Sequence, residues 1–160
     1  AIPLTATPGI DEMANTTTGN FLTAHHPNGV PVRDIGLTIR AVDDQGPGGA
    51  HHHYVIANFD VRRNASAIEY AIARDTEINE PQRTHIVFQN GPISDAKGAN
   101  GVTIEALLAI CAHRIECFEN GPFACSENQQ ALTAITTALE WLHKRTTDRV
   151  ARNVEGKNEK

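Results

Sequence analysis

Apolar residues alternate with polar ones from Asp34 to Arg40, with Ile35, Leu37 and Ile39 on one side of the pattern, and this period of two predicts a half-buried strand. The turn-rich run Asp43-Asp44-Gln45-Gly46-Pro47-Gly48-Gly49 ends it. Two further short segments rich in Val, Ile, Tyr and Phe, His53 to Phe59 and Thr84 to Phe88, predict a second and a third strand. Between them, apolar residues at 68, 71, 72 and 78 fit a short surface helix over 65–78. Beyond the turn Gln89-Asn90-Gly91-Pro92 the period lengthens. Ile104, Leu107, Leu108, Cys111, Ile115 and Phe118 fall three and four apart on one helical face. Ser126 with Gln129 has the spacing of a capping box and predicts the start of a second helix, whose stripe is Leu132, Ile135, Leu139 and Leu142. The short turn Asn120 to Cys125 folds the two helices back on each other. The expected class is α+β, a small antiparallel β-sheet followed by a long antiparallel α-helical hairpin. Residues 1–33, with Pro3, Pro8, Pro27 and Pro31, read as an N-terminal arm or irregular cover; 34–99 as the sheet region, 100–156 as the hairpin and 157–160 as a tail.

Composition narrows the function. A chain of 160 residues builds one compact unit of two parts, and a net charge of −5 argues against broad binding of DNA or RNA backbones. No apolar run has the roughly 20 residues of a membrane span, and no signal-peptide pattern opens the sequence, so it reads as soluble and intracellular. Cys111, Cys117 and Cys125 lack the spacing of a zinc ribbon or a disulfide framework and are expected as buried free thiols. In that compartment the sequons at Asn15 and Asn64 have no consequence.

The chemistry gathers at the two ends of the hairpin. Lys144, Arg145, Arg149 and Arg152 form a cationic cluster on an otherwise acidic chain, which suits a small anionic ligand. Arg145 and Arg149, four apart on one face, repel unless an anion lies between them, and a diphosphate matches their forked donors. A solvated face paired with Asp148 and Glu140 is the alternative. At the turn end, Phe118 can stack on a base and Asn128 can read a base edge; equally, they fit a core Phe and a first-turn Asn. Asn128 and Arg145 are about 25 Å apart on one helix, so a small ligand that uses both ends needs two chains. His51, His52 and His53 alternate in direction along a strand and do not make a metal site. His113 and His143 are expected at the surface. No phosphate loop, nucleophile elbow or carboxylate pair stands out, so the residues imply recognition without catalysis and without a cofactor.

The ordered segments Gly49 to Ile56, Phe88 to Ile93, Asn100 to Thr103, Gly121 to Asn128, Ala131 to Thr133, Trp141 to Arg149 and Val154 to Gly156 resemble phage and prophage Thoeris anti-defence proteins, over residues 34–156. That family shares its hairpin domain with the anti-CBASS cyclic-nucleotide sponges. The resemblance implies a protein that acts in the cytoplasm of the infected bacterial host. There it captures a cyclic ADP-ribose isomer, glyco-cyclic ADP-ribose, and withholds it intact. It further implies a pocket at a dimer interface, with Phe118 on the adenine, Asn128 on a polar edge, and Arg145 and Arg149 on the diphosphate. His53, Tyr54, Phe88 and Gln89 are expected to line it from the sheet side. Some members resemble trimers of dimers, hexamers that bind cyclic di- or trinucleotides at a separate site. Ser126 stands where the pattern has an Arg before the Glu-Asn pair. The rival readings are an enzyme that degrades the signal with a histidine base, and a protein-binding adaptor.

Overall fold

The computed structural model describes residues 37–93 and 96–154, and the backbone of 21–22. Four strands pair in chain order, all antiparallel: β1 (Phe21–Leu22), β2 (Thr38–Ala41), β3 (His53–Ala57) and β4 (Arg83–Val87). A short helix α1 (Ala65–Arg74) precedes β4, and two long helices follow it, α2 (Ile104–Glu119) and α3 (Ser126–Ala151). The chain is therefore α+β, as its periodicities predict. It divides into two compact units, 1–87 and 88–160.

In the first unit, pairing of Thr38 with Ala57 and of Val55 with His85 puts Arg40, His53, Val55, Ala57 and His85 on one sheet face. Ile39, Ala41, Tyr54, Ile56 and Ile86 occupy the other, the apolar half of the alternation. Ala41 and Ala57, at the ends of their strands, are the buried hydrophobic residues among those described. The β2–β3 loop is closed by Asp43, whose carboxylate accepts the backbone N–H groups of His52 (2.8 Å) and His53 (3.0 Å). Partial burial opposes its charge. The N–H donors of His52, His53 and Asp43 itself outweigh that cost and hold the carboxyl below the usual aspartate range.

The expected surface helix is shorter than its pattern. Asn64 caps it by accepting from the Ala67 N–H, and Asp75 in the left-handed conformation, φ 50°, ends it at Arg74. The stretch expected as an arm or irregular cover contains β1, in which Phe21 pairs with Arg40 and Leu22 with Ile39. The rest of 1–36, with the first half of the Asp34–Arg40 strand pattern, lies outside the described residues, as do 155–160.

In the second unit, the segment after β4 is tied to the start of the hairpin by a parallel bridge between Phe88 and Val102. The Gln89 N–H donates to the Val102 carbonyl, and the Asn100 N–H donates to Gln89 Oε1 (both 2.9 Å). Gly101 permits this approach, since a Cβ there would lie 2.4–2.6 Å from the Phe88 carbonyl and the Gln89 nitrogen. Gly101→Ala is expected to destabilise the unit by about 1–3 kcal/mol, read as a lower denaturant midpoint at unchanged slope; an unchanged midpoint contradicts it.

Thr103 caps α2 through the Ala106 N–H at 3.1 Å. Thr103→Ala should cost about 1 kcal/mol in the same assay. Leu107, Leu108, Ala112 and Ile115 form the half-buried stripe of α2, opposite Leu132, Ile135, Leu139 and Leu142 of α3. No described residue of either helix is fully buried. Ile104, Cys111 and Phe118, expected within the apolar face, are exposed at its margin. The three cysteines are likewise exposed, which corrects their reading as buried thiols. Two facing helices form a single seam, and side chains beyond its edges stay in solvent. Among the described residues no helix is long and apolar enough to cross a membrane.

Candidate functional site

The turn end of the hairpin is built by hydrogen bonds that the sequence pattern did not reveal. The helix α3 starts at Ser126 as expected, but the capping box does not form: the N-cap residue is Cys125, without a side-chain cap bond, and the Ser126 hydroxyl donates to Glu127 Oε2 (3.0 Å). Support comes instead from the end of α2. Glu119 Oε1 accepts the Cys125 N–H at 2.9 Å. That bond, helped by the side-chain amides of Gln129 and Asn128, holds the Glu119 carboxyl below its ordinary value. The interaction is therefore complete above the usual glutamate range near 4.5 and is lost as pH falls through the depressed folded value. The Cys125 amide resonance should titrate with a midpoint below 4.5, and a midpoint at or above it contradicts the clasp.

Phe118 and Asn128 both belong to this end. The Phe118 ring is 38% exposed, meets Phe123 edge-to-face at 6.5 Å, and has the Arg114 guanidinium 5.2 Å from its centroid. Arg114 and Phe123 are thus neighbours of the candidate aromatic that the sequence reading did not single out. Arg114 was legible, being four residues before Phe118 on the same helix. Asn128 Nδ2 donates to the Phe123 carbonyl at 3.1 Å.

The cationic end lies along the same unbroken helix, about 25 Å from Asn128. Arg145 is 3.9 Å from Glu105 with its side chain 59% exposed, and Arg149 Nη2 donates to the Val154 carbonyl at 2.8 Å. Asp148 is paired at 2.7 Å with Lys144 rather than with either arginine, and an exposed i,i+4 pair of this kind contributes about 0.3–0.5 kcal/mol. The clustered positive charge also faces the carbonyl end of α3, where the helix dipole favours it. Within one chain the structure joins Phe118 to Asn128 and Arg145 to Arg149, and keeps the two pairs apart.

The sheet-side candidates separate further. His53 and Tyr54, consecutive on β3, project to opposite faces, so one surface receives only one of them. His53 Nε2 is 2.8 Å from His85 Nδ1, and His85 Nε2 is 2.8 Å from Glu80 Oε2, a carboxylate–imidazole–imidazole chain. Tyr54 meets the His51 ring edge-on at 6.5 Å. Phe88 carries the bridge to Val102. The Gln89 amide donates to the carbonyls of Gly91 and Gly98 (3.0 Å each) while its oxygen accepts from Asn100, so this side chain is engaged in holding its own loop.

The second unit is thus defined by an antiparallel hairpin with an aromatic–amide end and a guanidinium end. Residues 80–147 match the family model of the Acb2/Tad1 hairpin domain. Thoeris anti-defense 1 of Bacillus phage SBSphiJ7 is 48% identical over 73 residues, 46% of this chain and 51% of that protein. Over 80–147 the chain is thus similar to the Acb2/Tad1 hairpin domain, and the resemblance to the phage Thoeris anti-defence family is borne out. The chain spans about half the length of the curated relative it matches. Phe88, Gln89, Phe118, Asn128 and Arg145 lie inside the family match; Arg149, His53 and Tyr54 lie outside it.

Proposed function

We propose that this protein is a phage anti-defence sponge. It binds a cyclic ADP-ribose isomer, glyco-cyclic ADP-ribose, and holds it intact in the cytoplasm of an infected bacterium, away from the Thoeris effector. The observation that carries this reading is the division of recognition groups between the ends of one rigid helix. Phe118 and Asn128 suit a nucleobase, Arg145 and Arg149 suit a diphosphate, and a separation of about 25 Å exceeds what one such ligand bridges along a single chain. A homodimer that sets the turn end of one hairpin beside the arginine end of another completes the pocket, and a trimer of dimers repeats it. The hairpin keeps apolar surface for such pairing, with Ile110 and Trp141 each 66% exposed. The name of the relative, Thoeris anti-defense 1, agrees with the biological role.

Calorimetry with purified cyclic ADP-ribose isomers tests the reading. The expected result is saturable binding at micromolar concentration or tighter; absence of heat with every isomer contradicts it and favours a protein-binding adaptor. One observation favours a second reading. The Glu80–His85–His53 chain has the form of a proton relay, as a signal-degrading enzyme with a histidine base would use. The fate of the bound ligand separates the two.

A further inference from the structure

The run His51-His52-His53 divides where β3 begins. His51 and His52 turn back to Asp43, whose carbonyl oxygen lies 2.6 Å from His51 Nδ1 and whose carboxylate lies 3.8 Å from His52 Nδ1. His53 instead projects to the sheet face that carries Val55 and His85, and its partner comes from β4. His53 Nε2 is 2.8 Å from His85 Nδ1, with the ring centroids 5.1 Å apart and the planes tilted by 44°. The other ring nitrogen of His85 is 2.8 Å from Glu80 Oε2. A carboxylate only accepts, so this bond keeps the proton of the neutral His85 ring on Nε2 and turns the bare Nδ1 toward His53. Glu80 makes the contact from the left-handed region, φ 49°, immediately before Pro81, where a residue rarely adopts it. The His85 side chain is 38% exposed, so the pair is open to solvent.

Two ring nitrogens that converge from neighbouring strands, one of them backed by a carboxylate, have the arrangement of metal-ligating histidines with an outer-shell acceptor. The spacing narrows the choice of ion. Ligand atoms about 2.0 Å from one ion lie about 2.8 Å apart at a right angle and about 3.3 Å apart at the tetrahedral angle. The observed 2.8 Å is the right-angle bite of a square-planar or octahedral ion. We propose that His53 Nε2 and His85 Nδ1 form a chelate for a divalent transition ion of the nickel or copper type, with Glu80 as its positioning residue. The ion replaces the proton that His53 Nε2 shares with His85 Nδ1, and His53 keeps a proton on Nδ1 instead, so both rings stay neutral. Among the described residues no group of three or more ligating side chains gathers around one ion, so water fills the remaining positions and binding is reversible. Arg40 shares this face beside Val55 and opposes a cation there, and the Glu80 carboxylate acts against that repulsion. The bound ion ties the first residue of β3 to the middle of β4. This site lies wholly in the first unit, and it holds or fails independently of the sponge reading.

Nickel(II) is the probe, because copper(II) oxidises exposed thiols such as the three cysteines. Calorimetry on the untagged full chain should show one nickel ion bound per chain at micromolar concentration. Paramagnetic broadening should fall first on the ring resonances of His53 and His85. His85→Ala and His53→Ala should each abolish this binding. Glu80→Gln should weaken it about tenfold or more while the broadening stays centred on the same two rings. Unchanged affinity in Glu80→Gln removes Glu80 from the proposal. Broadening centred on His51, His52 or the His113–Cys117 pair, or none at micromolar nickel, overturns it, as does undiminished affinity in His85→Ala. Should an alanine variant lose the circular dichroism of the folded chain, the broadening pattern of the unsubstituted protein decides alone.

Discussion

Arg145→Ala should weaken capture of a cyclic ADP-ribose isomer by about 1.5–3 kcal/mol, roughly ten- to a hundredfold, with the hairpin and its assembly unchanged. The magnitude is that of a charge-assisted hydrogen bond to a phosphate oxygen lost without replacement. Arg145 is the cleaner probe of the pair, because its side chain is largely exposed and its contact with Glu105, at 3.9 Å, is long. Arg149→Ala should cost a similar amount of binding, but it also removes the bond to the Val154 carbonyl that closes the end of α3. Lys in place of Arg145 should recover only part of the loss, since an ammonium group keeps the charge without the planar fork. Titration calorimetry reads all three variants. Full affinity in Arg145→Ala would remove the guanidinium end from the site.

The second large effect is a recovery. Arg149→Ala and Asn128→Ala chains should each bind poorly alone, and mixing them with subunit exchange should restore up to half of the pockets in each heterodimer. A composite pocket takes its arginines from one chain and its amide from the other, so one of the two pockets in a mixed dimer carries neither substitution. The result requires the protein to be dimeric or larger at micromolar concentration, which light scattering checks independently; a 17.3 kDa monomer throughout that range would remove the composite site. Exchange demonstrated by mass spectrometry without recovery of binding would show that the two hairpin ends do not serve one ligand.

These expectations follow from features that were unevenly legible in the sequence. Strand and helix type were readable because their cause is local: Leu37 and Ile39 alternate with Thr38 and Arg40, Tyr54, Val55 and Ile56 form a β-favouring run, and Leu107, Leu108 and Ile115 recur at helical spacing. The strand at Phe21–Leu22 was not readable, since a two-residue strand in a Pro- and Thr-rich stretch exists only through its pairing with Ile39 and Arg40. The start of α3 was placed correctly for the wrong reason. Ser126 and Gln129 offered a capping box, and the structure caps the turn from Glu119, six residues before the Cys125 N–H it accepts. The site shows the same limit. Phe118, Asn128, Arg145 and Arg149 could be chosen by residue type and spacing, but the bond from Asn128 to the Phe123 carbonyl depends on the backbone path of the turn, which is not written in a periodicity.

Capture without turnover is tested by following the fate of the ligand. The protein is incubated with a cyclic ADP-ribose isomer at stoichiometric amounts, filtered to show that the ligand is retained, then heated to release it, and the released material is resolved by chromatography. A sponge retains the ligand before heating and returns the unchanged cyclic compound quantitatively after it, from the unsubstituted protein and from His85→Ala alike. A linear or hydrolysed product that accumulates with time, and disappears in His85→Ala, would contradict the sponge and assign the protein to signal degradation through the Glu80–His85–His53 chain.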